Sequence, residues 1–238
     1  FRPASESEHQ AASCRNGMPN KWLTERAQLP PLPRQGGFCH MEFMTHFNDT
    51  SSLLAFLKTR KSASAKAMGG PGPTEAQLRD ILQLAVRVPD HGKLTPWRFI
   101  TFTGVAREQI GKRFAARWKE LHPEHGEDIL KFMHGFMTRA PSVVAVVSKA
   151  AAHPKIPVWE QQMSAAALCF NLELSAQAHG FDATWLTDWV AYDAEAKTAM
   201  GVGAEEQVAG FIFIGTASAP LEDRPRPDVD QLVTAWSG

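Results

Sequence analysis

The sequence predicts an α+β or α/β domain with one central sheet, and three observations carry that prediction. Apolar residues recur at helical spacing in several segments, as in Leu78, Ile81, Leu82 and Ala85 at i, i+3, i+4 and i+7. Short β-branched or alternating runs lie between them; the clearest is Ser142 to Ser148, with Val143, Val144, Val146 and Val147. Helical segments outnumber strands in one alternating series without internal repeats, the pattern of a sheet covered by helices.

Taken in order, residues 1–43 hold Pro3, Pro19, Pro30, Pro31 and Pro33 and little apolar periodicity. They read as a disordered or non-native extension ahead of a start near Met41 or Met44, with a functional or targeting arm as the alternative. No apolar stretch there suggests a secretory signal. The folded unit is then residues 44–238. Asp49, Thr50 and Ser51 offer caps for a short helix through Leu53, Leu54 and Leu57 that ends near Lys58 to Lys61. A small-residue loop follows, from Ser62 to Pro73. Thr74 to Gln77 spells a capping box for a helix that Pro89 stops, and Pro89 to Pro96 is a loop. Arg98 to Thr103 alternates as a strand. Helices are expected over 105–121 and from about Glu124 to Thr138. Beyond the valine strand, a long helix runs from Val158 to His179, with Gly180 as its stop. Its Ala165, Ala166 and Ala167 suggest close packing, on the sheet or on a second subunit. A strand over Phe181 to Thr187, a helix over Asp193 to Met200 and an apolar strand over Gln207 to Thr216 complete the domain. Residues from about 217 to 238 form a proline-containing arm.

Composition narrows the function. The 238 residues are 44% apolar, with 25 basic and 25 acidic side chains. That balance disfavours a nucleic-acid binder. No apolar run approaches the roughly 20 residues of a membrane span. Cys14, Cys39 and Cys169 are too few and scattered for a disulfide framework or a cysteine-rich zinc site. A cytoplasmic globular protein is expected. The glycine motifs of dinucleotide folds and phosphate loops and the nucleophile elbow are absent. His122 and His125 lie three apart without a recognisable third metal ligand, and Cys169 reads as a small buried hydrophobe. Any enzyme chemistry should therefore come from an organic cofactor.

Three clusters suggest which one. At Thr59-Arg60-Lys61-Ser62-Ala63-Ser64 two cations and a hydroxyl meet at a helix-to-loop junction. The set suits a phosphate monoester, or the cations simply complement the helix dipole. Arg87-Val88-Pro89-Asp90-His91 continues to Thr95-Pro96-Trp97-Arg98-Phe99. Pro157 to Ala165 opens the long helix. Together with Gly180-Phe181, Thr184 to Thr187 and Gly210 to Thr216, these clusters resemble the FMN-dependent nitroreductase family, in order, over about Leu53 to Thr216. The likeness is closest to its small, single-domain NAD(P)H nitroreductase members.

That resemblance implies an α+β fold with a central mixed sheet flanked by helices, in an intertwined homodimer with FMN at the subunit interface. It implies that Arg60, Lys61 and Ser62 hold the flavin phosphate and ribityl end, with Lys61 replacing a commoner second arginine. Arg87 and His91 match residues that the partner subunit contributes. Leu186, Thr187 and Asp188 fall where relatives carry an Arg-Ser-Gly loop against the flavin ring, so position alone transfers there. Gly215 matches a glycine closing the phosphate end. The implied activity is a ping-pong oxidoreductase using NAD(P)H to reduce nitroaromatics, quinones or similar flat acceptors. The alternatives are a specialised flavin reaction such as reductive dehalogenation, and a flavin-binding or redox-sensing protein without turnover. Trp159 and Trp185 read as core or interface residues, and Glu160 as a carboxylate complementing its helix dipole.

Overall fold

A computed structural model describes residues 46–238; the expectation for residues 1–43 lies outside them. Helix α1 (Leu53–Thr59) is capped by Ser52, whose Oγ accepts from the Ala55 N–H at 3.1 Å, one residue beyond the caps expected. It buries Phe56 and Thr59, while Leu53, Leu54 and Leu57 stay exposed. Strand β1 (Met68–Gly69) and α2 (Glu75–Ala85) follow. The Thr74–Gln77 capping box closes reciprocally, and α2 ends before Pro89 as the proline demands.

Strand β2 (Trp97–Thr103), helix α3 (Val105–Leu121) and strand β3 (Ser142–Ser148) match the expected spans within a residue. Helix α4 (Glu127–His134) is shorter than expected. Gly126 and Gly135 bracket it, and Met137–Arg139 winds separately as a 3₁₀ turn. A Cβ on Gly111 of α3 would strike the His134 carbonyl, so the glycine permits the close approach of α3 and α4. Helix α5 (Val158–Ala178) ends ahead of Gly180, which takes φ 82°. Strand β4 (Asp182–Leu186), helix α6 (Ala194–Met200) and strand β5 (Gln207–Ala217) complete the core.

Strand β5 is the axis of the sheet. Its residues 211–214 pair with β3 on one edge and β4 on the other, and β2 lies outside β3. Every pairing among the described strands of the single chain is antiparallel. The physical reason lies in α5. A helical crossover leaves β3 and β4 parallel to each other, and the last strand inserts between them.

Alternation along these strands sorts the core into two layers. Val143, Ala145, Val147, Phe211 and Phe213 pack with Phe114 of α3 and with Met200 of α6. Val144, Val146, Ile212 and Ile214 pack with Leu78 and Ile81 of α2 and with Leu168 and Leu172 of α5. Strand β3 is buried throughout, as its unbroken apolar run predicts. Cys169 is fully buried, and burial pushes its thiol up to about 12. It is the inert hydrophobe expected.

Candidate active site

The Arg60–Ser62 junction sits where α1 ends over the middle of α5. Arg60 is the C-cap of α1, and its backbone N–H returns to the Phe56 carbonyl at 2.7 Å. Its guanidinium lies over the Phe170 ring, 5.3 Å from the centroid. Nη2 donates to Ser62 Oγ at 3.2 Å and stands 3.5 Å from Glu173 Oε1. Ser62 Oγ in turn donates to that same Oε1 at 2.5 Å. Arg60 Nε is buried and has no partner among the described residues.

Glu173 is the residue that sequence reasoning missed here. It is a buried carboxylate on α5 between Leu172 and Leu174, and charged residues are rarely buried unless paired. That placement was the available signal. Burial pushes its carboxyl above the ordinary range, against the pull of the Ser62 hydroxyl and Arg60. Gln177, one turn on, donates to the Lys61 carbonyl at 3.0 Å. Asn48 Oδ1 accepts from the Lys61 N–H at 2.8 Å. The junction's backbone is thus held from two sides while the Lys61 ammonium remains unpaired among the described residues.

Beside it opens a cavity of about 360 Å³ lined by Lys61, Ser62, Ala63, Ser64 and Ala67 and, from the C-terminal segment, by Ala217, Ala219, Pro220, Leu221 and Glu222. Most of the lining side chains are small; the polar ones are Lys61, Ser62, Ser64 and the Glu222 carboxylate. The arm passes close enough that Lys61 helps hold the Asp223 carboxyl low, after the Arg224 backbone N–H and Arg226.

Gly215 lies buried in β5 just before this arm. A Cβ there would stand 2.6 Å from the Gly69 carbonyl oxygen and 2.6 Å from Pro141 Cδ, so strand packing by itself requires glycine at this position. Leu186 packs in the core cluster that holds Ala63 and Ala65. Thr187 is exposed. Asp188 turns its carboxylate onto the Trp189 N–H at 2.7 Å and caps the 3₁₀ turn Trp189–Ala191. Arg139 is nearby, between the rings of Phe132 and Phe136. Burial lowers its pKa, and the Asp188 charge opposes that.

The loop after α2 carries the other two expected residues. Its base is well fixed. Asn171 of α5 donates to the Leu84 and Ala85 carbonyls, and Ser164 Oγ donates to the Pro89 carbonyl at 2.7 Å while accepting from Trp97 Nε1. The Asp90 carboxylate accepts from the Leu94 and Thr95 N–H groups. Arg87 and His91 point outward from this base, both exposed. His91 Nδ1 meets Glu160 Oε2 at 2.6 Å, so Glu160 has a partner besides the helix dipole. Trp159 is exposed, whereas the Trp185 indole occupies the space over Gly210.

Glu160 and Glu173 are thirteen residues apart on α5, about 20 Å at 1.5 Å per residue. Within one chain, His91 and the Arg60 junction therefore stand at separate points along the helix. The fold collects Arg60, Lys61 and Ser62 at one end, and the neighbouring Ala63 N–H donates to the Ala183 carbonyl of β4, three residues before Leu186. The fold does not bring Arg87 or His91 to that end.

The sequence signature of the nitroreductase family matches residues 57–216. A Haemophilus influenzae protein named "Putative NAD(P)H nitroreductase" is 34% identical over 183 residues, covering 76% of this chain and 97% of that protein. The chain belongs to the nitroreductase family. Among solved structures, a nitroreductase-like family protein from Bacillus cereus shares the fold with TM-score 0.66 at 18% identity, over 82% of this chain and all of that one. The FMN and NADPH-dependent nitroreductase NfnB from Sphigopyxis sp. strain HMH aligns with TM-score 0.56 at 20% identity, over 76% and 97% of the two chains. Both likenesses support the fold.

Proposed function

We propose that this chain is an FMN-dependent oxidoreductase that takes reducing equivalents from NAD(P)H. It passes them to a nitroaromatic, quinone or similar flat acceptor, the two substrates using one cleft in turn. One observation carries the flavin reading. The Arg60 guanidinium is only partly satisfied, its buried Nε lacks a partner among the described residues, and beside it lies a small-walled cavity with Lys61, Ser62 and Ser64. Cations and hydroxyls of this kind fit a phosphate monoester with a polyol chain. The relatives' names support NAD(P)H as reductant, and the likeness to the FMN and NADPH-dependent NfnB supports FMN.

FMN would supply the redox chemistry when bound. The protein's part is to hold and enclose it. Arg60, Lys61 and Ser62 bind the phosphate end, and Leu186 to Asp188 flank the ring, with the Asp188 carboxylate engaged by the Trp189 N–H. Gly215 keeps β5 close to Gly69 at that end. Arg87 and His91 serve the site of the other subunit.

We infer a homodimer on that basis. Exposed apolar side chains on α1 (Leu53, Leu57), on α5 (Trp159, Met163, Phe170) and on the arm (Leu232, Trp236) exceed what a monomer leaves uncovered. An obligate interface of this kind buries more than about 2,000 Å². No described helix is long and apolar enough to cross a membrane; balanced charge and sparse cysteines support a cytoplasmic location. Residues 44–238 are the flavin-binding unit, so a chain starting at Met44 should keep its flavin and its melting temperature.

The deciding experiment is the absorption spectrum of the purified protein, identification of the released flavin, and steady-state oxidation of NADPH and NADH with nitrofurazone or menadione. Bound FMN with turnover is expected. Bound FMN without turnover would favour the sensing alternative, and failure to bind FMN would overturn the reading.

A further inference from the structure

We propose that the turn joining α3 to α4 is a binding site for a first-row divalent cation of the zinc class, held by His122, Glu124 and His125. Glu124 Oε1 stands 3.5 Å from His122 Nδ1 and 3.5 Å from His125 Nε2. One ligand atom from each residue falls within 4.8 Å of the others. A tetrahedral zinc ion with bonds of roughly 2.0–2.1 Å sets neighbouring donors about 3.3–3.4 Å apart. The two nitrogen–oxygen separations already approach that spacing. The third ligand that the histidine spacing lacked is the residue between them, brought round by the turn.

The turn is held in this shape without a metal. The His125 N–H returns to the His122 carbonyl at 3.1 Å. Lys119 Nζ donates to the Pro123 and His125 carbonyls at 2.9 and 3.2 Å, which directs its charge onto the backbone. The imidazoles stack with centroids 4.9 Å apart. The cluster caps the C-terminus of α3, where the helix dipole favours a cation. Three protein ligands leave a fourth position for water.

Proton accounting supplies a signature. An indole N–H only donates, and Trp118 Nε1 lies 2.9 Å from His125 Nδ1. In the neutral ring Nδ1 is therefore the acceptor, and Nε2 carries the proton toward Glu124. Metal bound at Nε2 transfers that proton to Nδ1 and breaks the indole bond. Trp118 packs on Trp189 with centroids 5.0 Å apart, so the change is reported by tryptophan fluorescence next to the Leu186–Asp188 loop.

The test uses the untagged full chain, stripped with a chelator and titrated with ZnCl₂ alone near neutral pH, by calorimetry and fluorescence. Saturable binding with a fluorescence change is expected, with no comparable response to MgCl₂. Losing an outer-shell partner weakens metal sites roughly 10- to 100-fold. His122→Ala, His125→Ala and Glu124→Gln, all in an exposed turn, should each weaken this site by at least as much. Trp118→Phe should keep zinc binding and lose the fluorescence response. Zinc uptake undiminished in His122→Ala/His125→Ala would place the metal elsewhere and overturn the proposal. So would an absence of saturable binding, or wild-type binding that leaves the fluorescence unchanged.

Discussion

Arg98 meets Glu206 through two parallel bonds, Nε to Oε1 at 2.8 Å and Nη2 to Oε2 at 2.6 Å, whereas Arg60 reaches Glu173 with one nitrogen at 3.5 Å. The first pair is complete. Arg98 also donates to the Gly201 carbonyl, and Glu206 accepts from the Gly203 N–H. Arg98 and that N–H outweigh partial burial and hold the Glu206 carboxyl down to about 2. The second pair has the opposite balance. Burial dominates at Glu173 and pushes its carboxyl up, and Arg60 keeps a buried Nε without a partner among the described residues. The same two residue types thus make a finished clamp between β2 and the α6–β5 loop, and an unfinished junction beside a cavity. Unsatisfied charge beside open space is what marks a candidate binding residue.

The largest effect should come from breaking the unfinished pair. Hydrogen bonds to charged groups contribute roughly 1.5–3 kcal/mol. Arg60→Ala should therefore weaken FMN binding by about 10- to 150-fold, and the protein should purify largely as apoprotein. Riboflavin, which lacks the phosphate, should bind wild type and variant nearly equally. Titration of apoprotein with both flavins checks this. An unchanged FMN dissociation constant would move the phosphate site elsewhere.

Breaking the finished pair should move stability instead. Glu206→Gln should cost about 1–2 kcal/mol, discounted for the partial exposure of the pair. That is a melting shift of about 2–8 °C for a domain of this size. FMN affinity should be unaffected. The two glutamates also differ in pH sign. Glu206, depressed in the fold, stabilises fully above its ordinary value near 4.5 and loses that contribution as pH falls toward about 2. Glu173, raised in the fold, stabilises while protonated and loses that contribution as pH rises through its folded value. The deficit of Glu206→Gln relative to wild type should therefore shrink on acidification. Glu173→Gln should gain on wild type as pH rises. Denaturant melts across pH would show both; parallel curves for the two variants would contradict the assignment.

Much of this fold was legible because local signals agreed with the global answer. Thr74 and Gln77 announced α2, Pro141 and the valines announced β3, and Gly180 announced the end of α5. Strand direction was not legible, since nothing in Gln207 to Ala217 says that β5 inserts between β3 and β4. The site was half legible. The residue types at Arg60–Ser62 suggested phosphate. Their internal anchor, Glu173, lies over a hundred residues away on a helix whose pattern reads as apolar. Likewise Glu124 was overlooked as a metal ligand because only the turn's folding swings it between the two histidines.

The smallest effect separates the outward loop from both pairs. His91 and Glu160 are bonded at 2.6 Å, yet their side chains are 62% and 45% exposed, and exposed pairs commonly contribute about 0–1 kcal/mol. If His91 serves only its own chain, His91→Ala should lower the melting temperature slightly and leave flavin retention alone. If it serves the other subunit's site, stability should change by less than about 0.5 kcal/mol, while FMN retention falls. The Ser164 and Asp90 bonds that fix the loop's base do not involve His91, so the loop should keep its course in the variant. Mixing His91→Ala with Arg60→Ala sharpens the comparison. A heterodimer in which each subunit supplies one intact half holds one fully wild-type site and one doubly defective site. The mixture should therefore recover flavin sites that neither variant retains alone. No recovery, with heterodimers shown to form, would mean that the two halves act within the same chain.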